Sequence, residues 1–421
     1  CTATGCTLGQ AGNSKLKPET TTEDEFGTDL TLFNRVGLEL TYARPVTRNQ
    51  ILNVRTPSTL GFTRQWQNAG TLASNIWEAA VNLPVVNKRN LSWNMRGTWD
   101  RARTYITQLF MPEYFDVGGT GQGTGSFFLI TARRDRVDGV PVNRYGNIWG
   151  RKFYRTCNDL PGAVRAQCGD GRAFQVNDQG WVVWVGDGNS WRDGITKNLW
   201  QTKLPAAQSP WNYPLQFGHP IIDRPLRGEA GEGIGKLHIL GNTLPDFRLS
   251  LNNTVQYKRL TVYALLDGTF GQDINNQGEA WGLLDFSSAN FDQSGKSVET
   301  AKPVGYSWRV GGSEGAGTGG FYDQLGPNNY NIESGSYAKL REVSLTYAIG
   351  RVPGVGGDWT VGLIGRNLLT FTHYSGYDPE VGANSGTSTT NGGAVSGLIN
   401  QTDAFDFPTL RTFTLSLSTR F

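Results

Sequence analysis

The sequence predicts an all-β protein, specifically an antiparallel transmembrane β-barrel with long extracellular loops. Several segments of about ten residues alternate apolar and polar side chains and carry Tyr or Trp near an end. That is the pattern of strands facing lipid on one side and water on the other. The composition agrees: 55 Gly, 11% aromatic residues and only 2 Met among 421 residues suit strands and turns better than helices. Finally, the chain ends on "RTFTLSLSTRF", which keeps strict alternation to its terminal Phe421.

Each strand can be placed in turn. In "NRVGLELTYARP", Val36, Leu38, Leu40 and Tyr42 share a face opposite Arg35, Glu39 and Thr41. In "KRNLSWNMRGTWDRA", Leu91, Trp93, Met95 and Trp99 oppose Asn90, Ser92, Asn94, Arg96 and Thr98. "FRLSLNNTVQYKRLTVYALL" carries Leu249, Leu251, Val255 and Tyr257, then changes parity across Lys258-Arg259 to Leu260, Val262, Ala264 and Leu266, as a turn or bulge between two strands requires. "AKLREVSLTYAIG" sets Leu340 apart from Val343, Leu345, Tyr347 and Ile349. "DWTVGLIGRNLLTF" presents Trp359, Val361 and Leu363, and the last strand runs from Phe413.

Between the strands lie stretches without periodicity: 110–235, 276–333 and 376–406. Long structureless loops count against a compact soluble domain, but they are expected on one rim of an outer-membrane barrel. No run of 18 apolar residues occurs, so a transmembrane helix is excluded. The N-terminal "CTATGCTLGQAGNSKLKPE" has neither a charged nor a long apolar region of the kind a signal peptide needs. Cys1 as a lipidated first residue is a weaker reading, and the states of Cys1 and Cys6 are left open.

Charge and chemistry narrow the function classes. With 39 basic and 36 acidic residues interspersed, no basic stripe exists for nucleic acid. His219, His238 and His373 are isolated in sequence, and no G-x-S-x-G elbow is present, so the chain is read as a non-enzyme without metal or cofactor. Asp378–Glu380 and Glu23–Glu25 lack the spacing of a metal loop and read as solvated loop carboxylates or strand-end anchors. Cys157 and Cys168 flank "NDLPGAVRAQ", which predicts a disulfide-closed loop in an oxidising compartment; two free thiols are the alternative. Trp181, Trp184, Trp191, Trp200 and Trp211 cluster in the long middle region. They are candidates for contact with a ligand or a partner, with loop packing as the alternative.

Six blocks in order carry a family resemblance. They are "GNSKLKPETTTEDEFGTDLTLFNRVGLELTYARPVTRNQIL", "QNAGTLASNIWEAAVNLPVV", "LGNTLPDFRLSLNNTVQYKRLTVYALLDGTFGQDINN", "ESGSYAKLREVSLTYAI", "GRNLLTFTHYSGYDPEV" and "FPTLRTFTLSLSTRF". Together they resemble the late-barrel part of the SusC/RagA family of TonB-dependent outer-membrane transporters. The resemblance implies an importer of glycans or peptides in a Gram-negative outer membrane. It further implies a SusD-like surface lipoprotein at the mouth and TonB acting through a plug. Family barrels have about 22 strands, so residues 1–421 are expected to be the C-terminal barrel portion. The plug and early strands would lie elsewhere, as another chain or a part not included; a smaller closed barrel is the alternative. Phe413, Leu415, Leu417 and Phe421 resemble the signal read by the barrel-assembly machinery. A structural platform binding a partner through its loops, and a plugless porin-like channel, remain open as other functions.

Overall fold

In a computed structural model, the described residues are 8–56, 58–117, 127–231, 235–284, 288–289, 292–303, 328–380, 402–403 and 407–420. Ten strands form the principal sheet. They are β1 (Leu8–Ala11), β2 (Thr20–Leu32), β3 (Val36–Arg55), β4 (Phe62–Lys88), β5 (Leu91–Leu109), β6 (Phe247–Tyr257), β7 (Leu260–Phe270), β8 (Tyr337–Arg351), β9 (Asp358–Thr372) and β10 (Thr412–Arg420). From β2 to β10 every neighbour pair is consecutive in this numbering and antiparallel. The short β1 lies parallel to the start of β4, from Leu8 opposite Phe62 to Ala11 opposite Gln65.

The register turns the sequence alternation into two faces. One row runs Val86, Trp93, Val255, Val262, Leu345, Leu363 and Leu415 across seven strands, each residue directly opposite the next. A row on the other face runs Glu39, Ala80, Thr98, Ser250, Asp267, Lys339 and Thr370. On the apolar face large side chains stay uncovered: Phe26 is 70% exposed and Leu415 76%. Water penalises so extensive an apolar face, whereas the hydrocarbon of a bilayer does not. The polar face is cross-linked by hydrogen bonds such as Thr98 to Ser250 and by Arg96 paired with Glu39 at 2.9 Å.

Connections divide by rim. Residues 33–35, 89–90, 258–259 and 352–357 make short turns at one end. The first is a type I′-like turn with Phe33 and Asn34 both at positive φ, closed by the Arg35 amide donating to the Leu32 carbonyl. At the other end a short connection, 56–61, and three long ones, 110–246, 271–336 and 373–411, join the strands. Such asymmetry is the rule for outer-membrane barrels. Among the described residues β2 pairs only with β3 and β10 only with β9, so the sheet has two open edges.

Residues 110–235, read from the sequence as a long loop-rich region, contain short strands of their own. Strands Phe174–Val176, Val182–Trp184 and His219–Pro220 form a small sheet. Because its residues alternate, Val182 and Trp184 enter a cluster with Tyr154, Leu160, Phe174 and Trp211, while Trp181, Val183 and Val185 enter a second with Phe153 and Phe217. Both faces of one strand are thus buried, which hides the polar alternation that marks a half-exposed strand. The predicted Cys157–Cys168 disulfide is formed, and Cys168 packs against the first cluster. The final strand begins at Thr412, one residue earlier than read from sequence; Phe421, Cys1 and Cys6 lie outside the described residues.

Candidate functional site at the long-loop rim

The five tryptophans separate into two groups. Trp211 is 1% exposed and packs edge-on against Phe174 at 5.8 Å between ring centroids. Trp184 and Trp181 are also buried, and the Arg155 guanidinium stacks over Trp181 at 4.0 Å. These three hold the loop unit together, so a ligand would reach them only if that unit opened. Trp191 and Trp200 are half-buried at the margin of the second cluster. Trp200 lines a cavity with Asp193, Leu199, Phe217 and Lys302.

In the "DPE" stretch the carboxylates serve as anchors at a strand end, one part of the sequence reading, but they are not solvated as the other part had it. Asp378 and Glu380 fold back onto the polar face of the wall and meet Lys339, whose side chain is 2% exposed, at 2.6 and 2.7 Å. Arg341 joins Glu380 to Asp267, and Tyr337 donates its hydroxyl to Glu380 at 2.9 Å. Arg341 sits at the irregularity between Leu340 and Glu342 in β8. A bulge re-aims a side chain and shifts the parity, so it accounts for Leu340 standing apart from Val343 in the sequence. Asp378 also accepts from the Thr409 amide at 3.1 Å, tying the approach to β10 to the same point.

Burial disfavours both loop carboxylates in their charged form. For Asp378, Lys339 and the Thr409 donors outweigh that and hold the carboxyl at about 2. For Glu380, Arg341, Lys339 and Tyr337 do the same, again to about 2. A buried ammonium with two carboxylates, one of them shared with an arginine, satisfies the requirement that buried charges be paired.

A second cluster was not foreseen. His238 places Nδ1 3.1 Å from Asp138 and Nε2 2.9 Å from Asp223, which also accepts from the Tyr154 hydroxyl at 2.8 Å. The contact with Asp223 raises the His238 pKa; burial opposes this and Asp138 adds to the rise. These partners lie 100, 15 and 84 positions from His238, so no local motif announces them. Together they join the hairpin Arg136–Val137/Val140–Pro141 and the strand Leu237–Asn242 to the loop unit. Among the described residues no group of acidic, His or Cys side chains could hold a metal.

An antiparallel wall with one bare apolar face, one cross-linked polar face and its long loops on one rim fits the outer-membrane β-barrel class of protein. The comparisons make this particular. The chain is 26% identical over 430 residues to TonB-dependent receptor P26 of Formosa agariphila and 24% identical over 424 residues to receptor P3 of the same organism. Each alignment covers 99% of this chain and 36% of the receptor, so the chain spans about a third of these relatives' length. Its fold matches the RagAB peptide transporter with a TM-score of 0.56 at 13% identity, over 95% of this chain and 35% of that one. The same importer in its open-open state matches at 0.52 and 17% identity, over 89% and 33%. No protein-family model matches the chain. The chain is thus similar to TonB-dependent receptors along nearly its whole length, and its fold resembles part of the RagAB peptide transporter.

Proposed function

We propose that residues 1–421 form the C-terminal barrel portion of an outer-membrane TonB-dependent importer of SusC type. The observation that carries this reading is the two-faced wall whose end strands β2 and β10 each have one partner among the described residues, joined to receptor similarity along 99% of the chain. An unpaired strand edge in hydrocarbon leaves backbone groups that cost several kcal/mol each. Further strands therefore complete the wall and enclose a plug, and TonB acts through that plug. The glycan or peptide cargo enters from the long-loop rim, where a SusD-like surface lipoprotein closes the mouth. In this reading Phe413, Leu415, Leu417 and Phe421 serve as the assembly signal, and the half-buried Trp191 and Trp200 are the tryptophans that would meet cargo or partner.

Uptake of labelled oligopeptides and oligosaccharides by cells expressing the complete protein tests this. Import that stops on gene deletion and on addition of a protonophore supports the reading. Import that continues undiminished with the protonophore overturns it in favour of a passive, porin-like channel. No import, with the protein nevertheless binding a surface protein through its loops, leaves the platform reading.

A further inference from the structure

The short-turn rim carries cations at three successive turns. Arg35 lies between β2 and β3, Lys88 and Arg89 where β4 turns into β5, and Lys258 and Arg259 between β6 and β7. All five are exposed. Lys258 stands at φ 53, a position that Asn or Gly fills most easily in a two-residue hairpin turn. The turn itself therefore does not call for a lysine.

Hydrogen bonds join these turns side to side. Arg35 donates Nε to the Pro84 carbonyl at 2.8 Å and Nη2 to the Val85 carbonyl, near the end of β4. The Lys258 amide donates to the Asn90 carbonyl at 2.9 Å. Arg259 donates Nη1 to the Ile349 carbonyl at 3.1 Å, and its own carbonyl accepts from the Ala348 amide at 2.9 Å. The cations are thus held in one band from β2 to β8.

The register fixes which side of the wall this band serves. Lys88, Leu91, Tyr257, Leu260 and Tyr347 form one row, each directly opposite the next, two residues along from the apolar row of Val86 and Trp93. Alternation therefore puts Lys88 on the bare apolar face, in line with Tyr257 and Tyr347, which are 52% and 46% exposed. Exposed tyrosines on such a face mark the level where hydrocarbon gives way to headgroups. Arg89, Lys258 and Arg259 follow directly beyond that row. The carboxylates near these strand ends lie on the opposite, polar face. Asp29 is opposite Glu39, which binds Arg96, and Asp358 is opposite both Arg351 and Arg420. Among the described residues no carboxylate pairs with any of the five cations.

We propose that this band binds the anionic headgroups of phospholipids in the leaflet that meets the short turns, the periplasmic one in an outer-membrane barrel. Its cations stand at headgroup level and are continuous with the lipid-facing wall, where a phosphate is the anion at hand. An acidic soluble protein would have to displace lipid from the Lys88 row to reach them. The inference needs the wall to stand in a membrane and draws nothing from cargo, plug or TonB.

The test is native mass spectrometry of the complete protein in detergent, titrated with phosphatidylglycerol and with phosphatidylethanolamine. One cation at an anionic membrane surface contributes about fivefold to binding, so phosphatidylglycerol is expected to bind at least about fivefold more tightly. The preference should fall below about twofold in the triple variant Lys88→Gln, Arg89→Gln, Lys258→Asn, whose asparagine suits the positive φ. The charge-preserving triple variant Lys88→Arg, Arg89→Lys, Lys258→Arg should keep it. So should Arg134→Gln, Arg172→Gln, Lys203→Gln, which removes three exposed cations from the long-loop rim. Equal binding of the two lipids, an unchanged preference in the first variant, or an equal loss in the loop-rim variant overturns the proposal. Polyaspartate that binds more tightly than phosphatidylglycerol, and is lost in the first variant, overturns it in favour of an acidic protein partner. Import is decided separately by the uptake assay, so neither reading falls with the other.

Discussion

Replacing Lys339 by Met removes the cation that receives Asp378 and Glu380 while nearly preserving side-chain volume. Breaking a buried ion pair from one side costs about 3–5 kcal/mol. Here the lower figure applies, because Arg341 still holds Glu380, and Asp378 keeps the Thr409 and Glu380 amides at 3.1 and 3.0 Å. About 3 kcal/mol corresponds to roughly a hundredfold change in an opening equilibrium. Those two amides are the natural reporters, since each donates to the carboxylate that loses its partner. Hydrogen exchange followed by mass spectrometry on the complete protein should show them exchanging roughly a hundredfold faster in Lys339→Met. Amides in β3 and β4, remote from the cluster, should be unchanged. A change of less than about threefold at Glu380 and Thr409 would refute the view that Lys339 holds this loop to the wall.

The pH dependence of the same attachment has a defined sign. Both loop carboxylates are depressed to about 2, so their contribution is complete above the ordinary carboxylate range, weakens below about pH 4 and is gone near pH 2. Protection of the Thr409 amide followed down the pH scale checks it. His238 acts in the opposite direction: its pKa is raised, so its contribution is present below about pH 6.5 and lost as pH rises through the folded value. His238→Gln should remove that alkaline loss of protection in the strand Leu237–Asn242. Leu363→Arg, in the middle of the apolar row, should destabilise the barrel by about 2–4 kcal/mol in lipid, read from urea unfolding in vesicles. Non-reduced peptide mapping should recover Cys157 linked to Cys168, and reduction should cost the loop unit about 2–4 kcal/mol.

The wall was legible because half-exposed strands write their geometry into the sequence. The parity change at Lys258-Arg259 is the observed turn between β6 and β7, and the displaced Leu340 marks the irregularity at Arg341. Inside the loop unit the same code fails. Trp181 to Val185 is buried on both sides, so it reads as an aromatic run rather than as a strand between two clusters. Charged partners were hidden for another reason. Lys339 meets Asp378 across 39 residues, and His238 meets Asp138 across 100, separations that only the fold closes. Asp378 and Glu380 were visible as a motif, but nothing local reveals that a lysine waits beneath them.

In the proposed importer, β2 and β10 are edges within a larger barrel. The most direct test is cryo-electron microscopy of the protein extracted intact from outer membranes, with the partners of those two strands traced. β2 and β10 should each pair with a strand lying outside residues 1–421, around a plugged lumen. Direct pairing of β2 with β10, closing a small barrel from this chain alone, would contradict it.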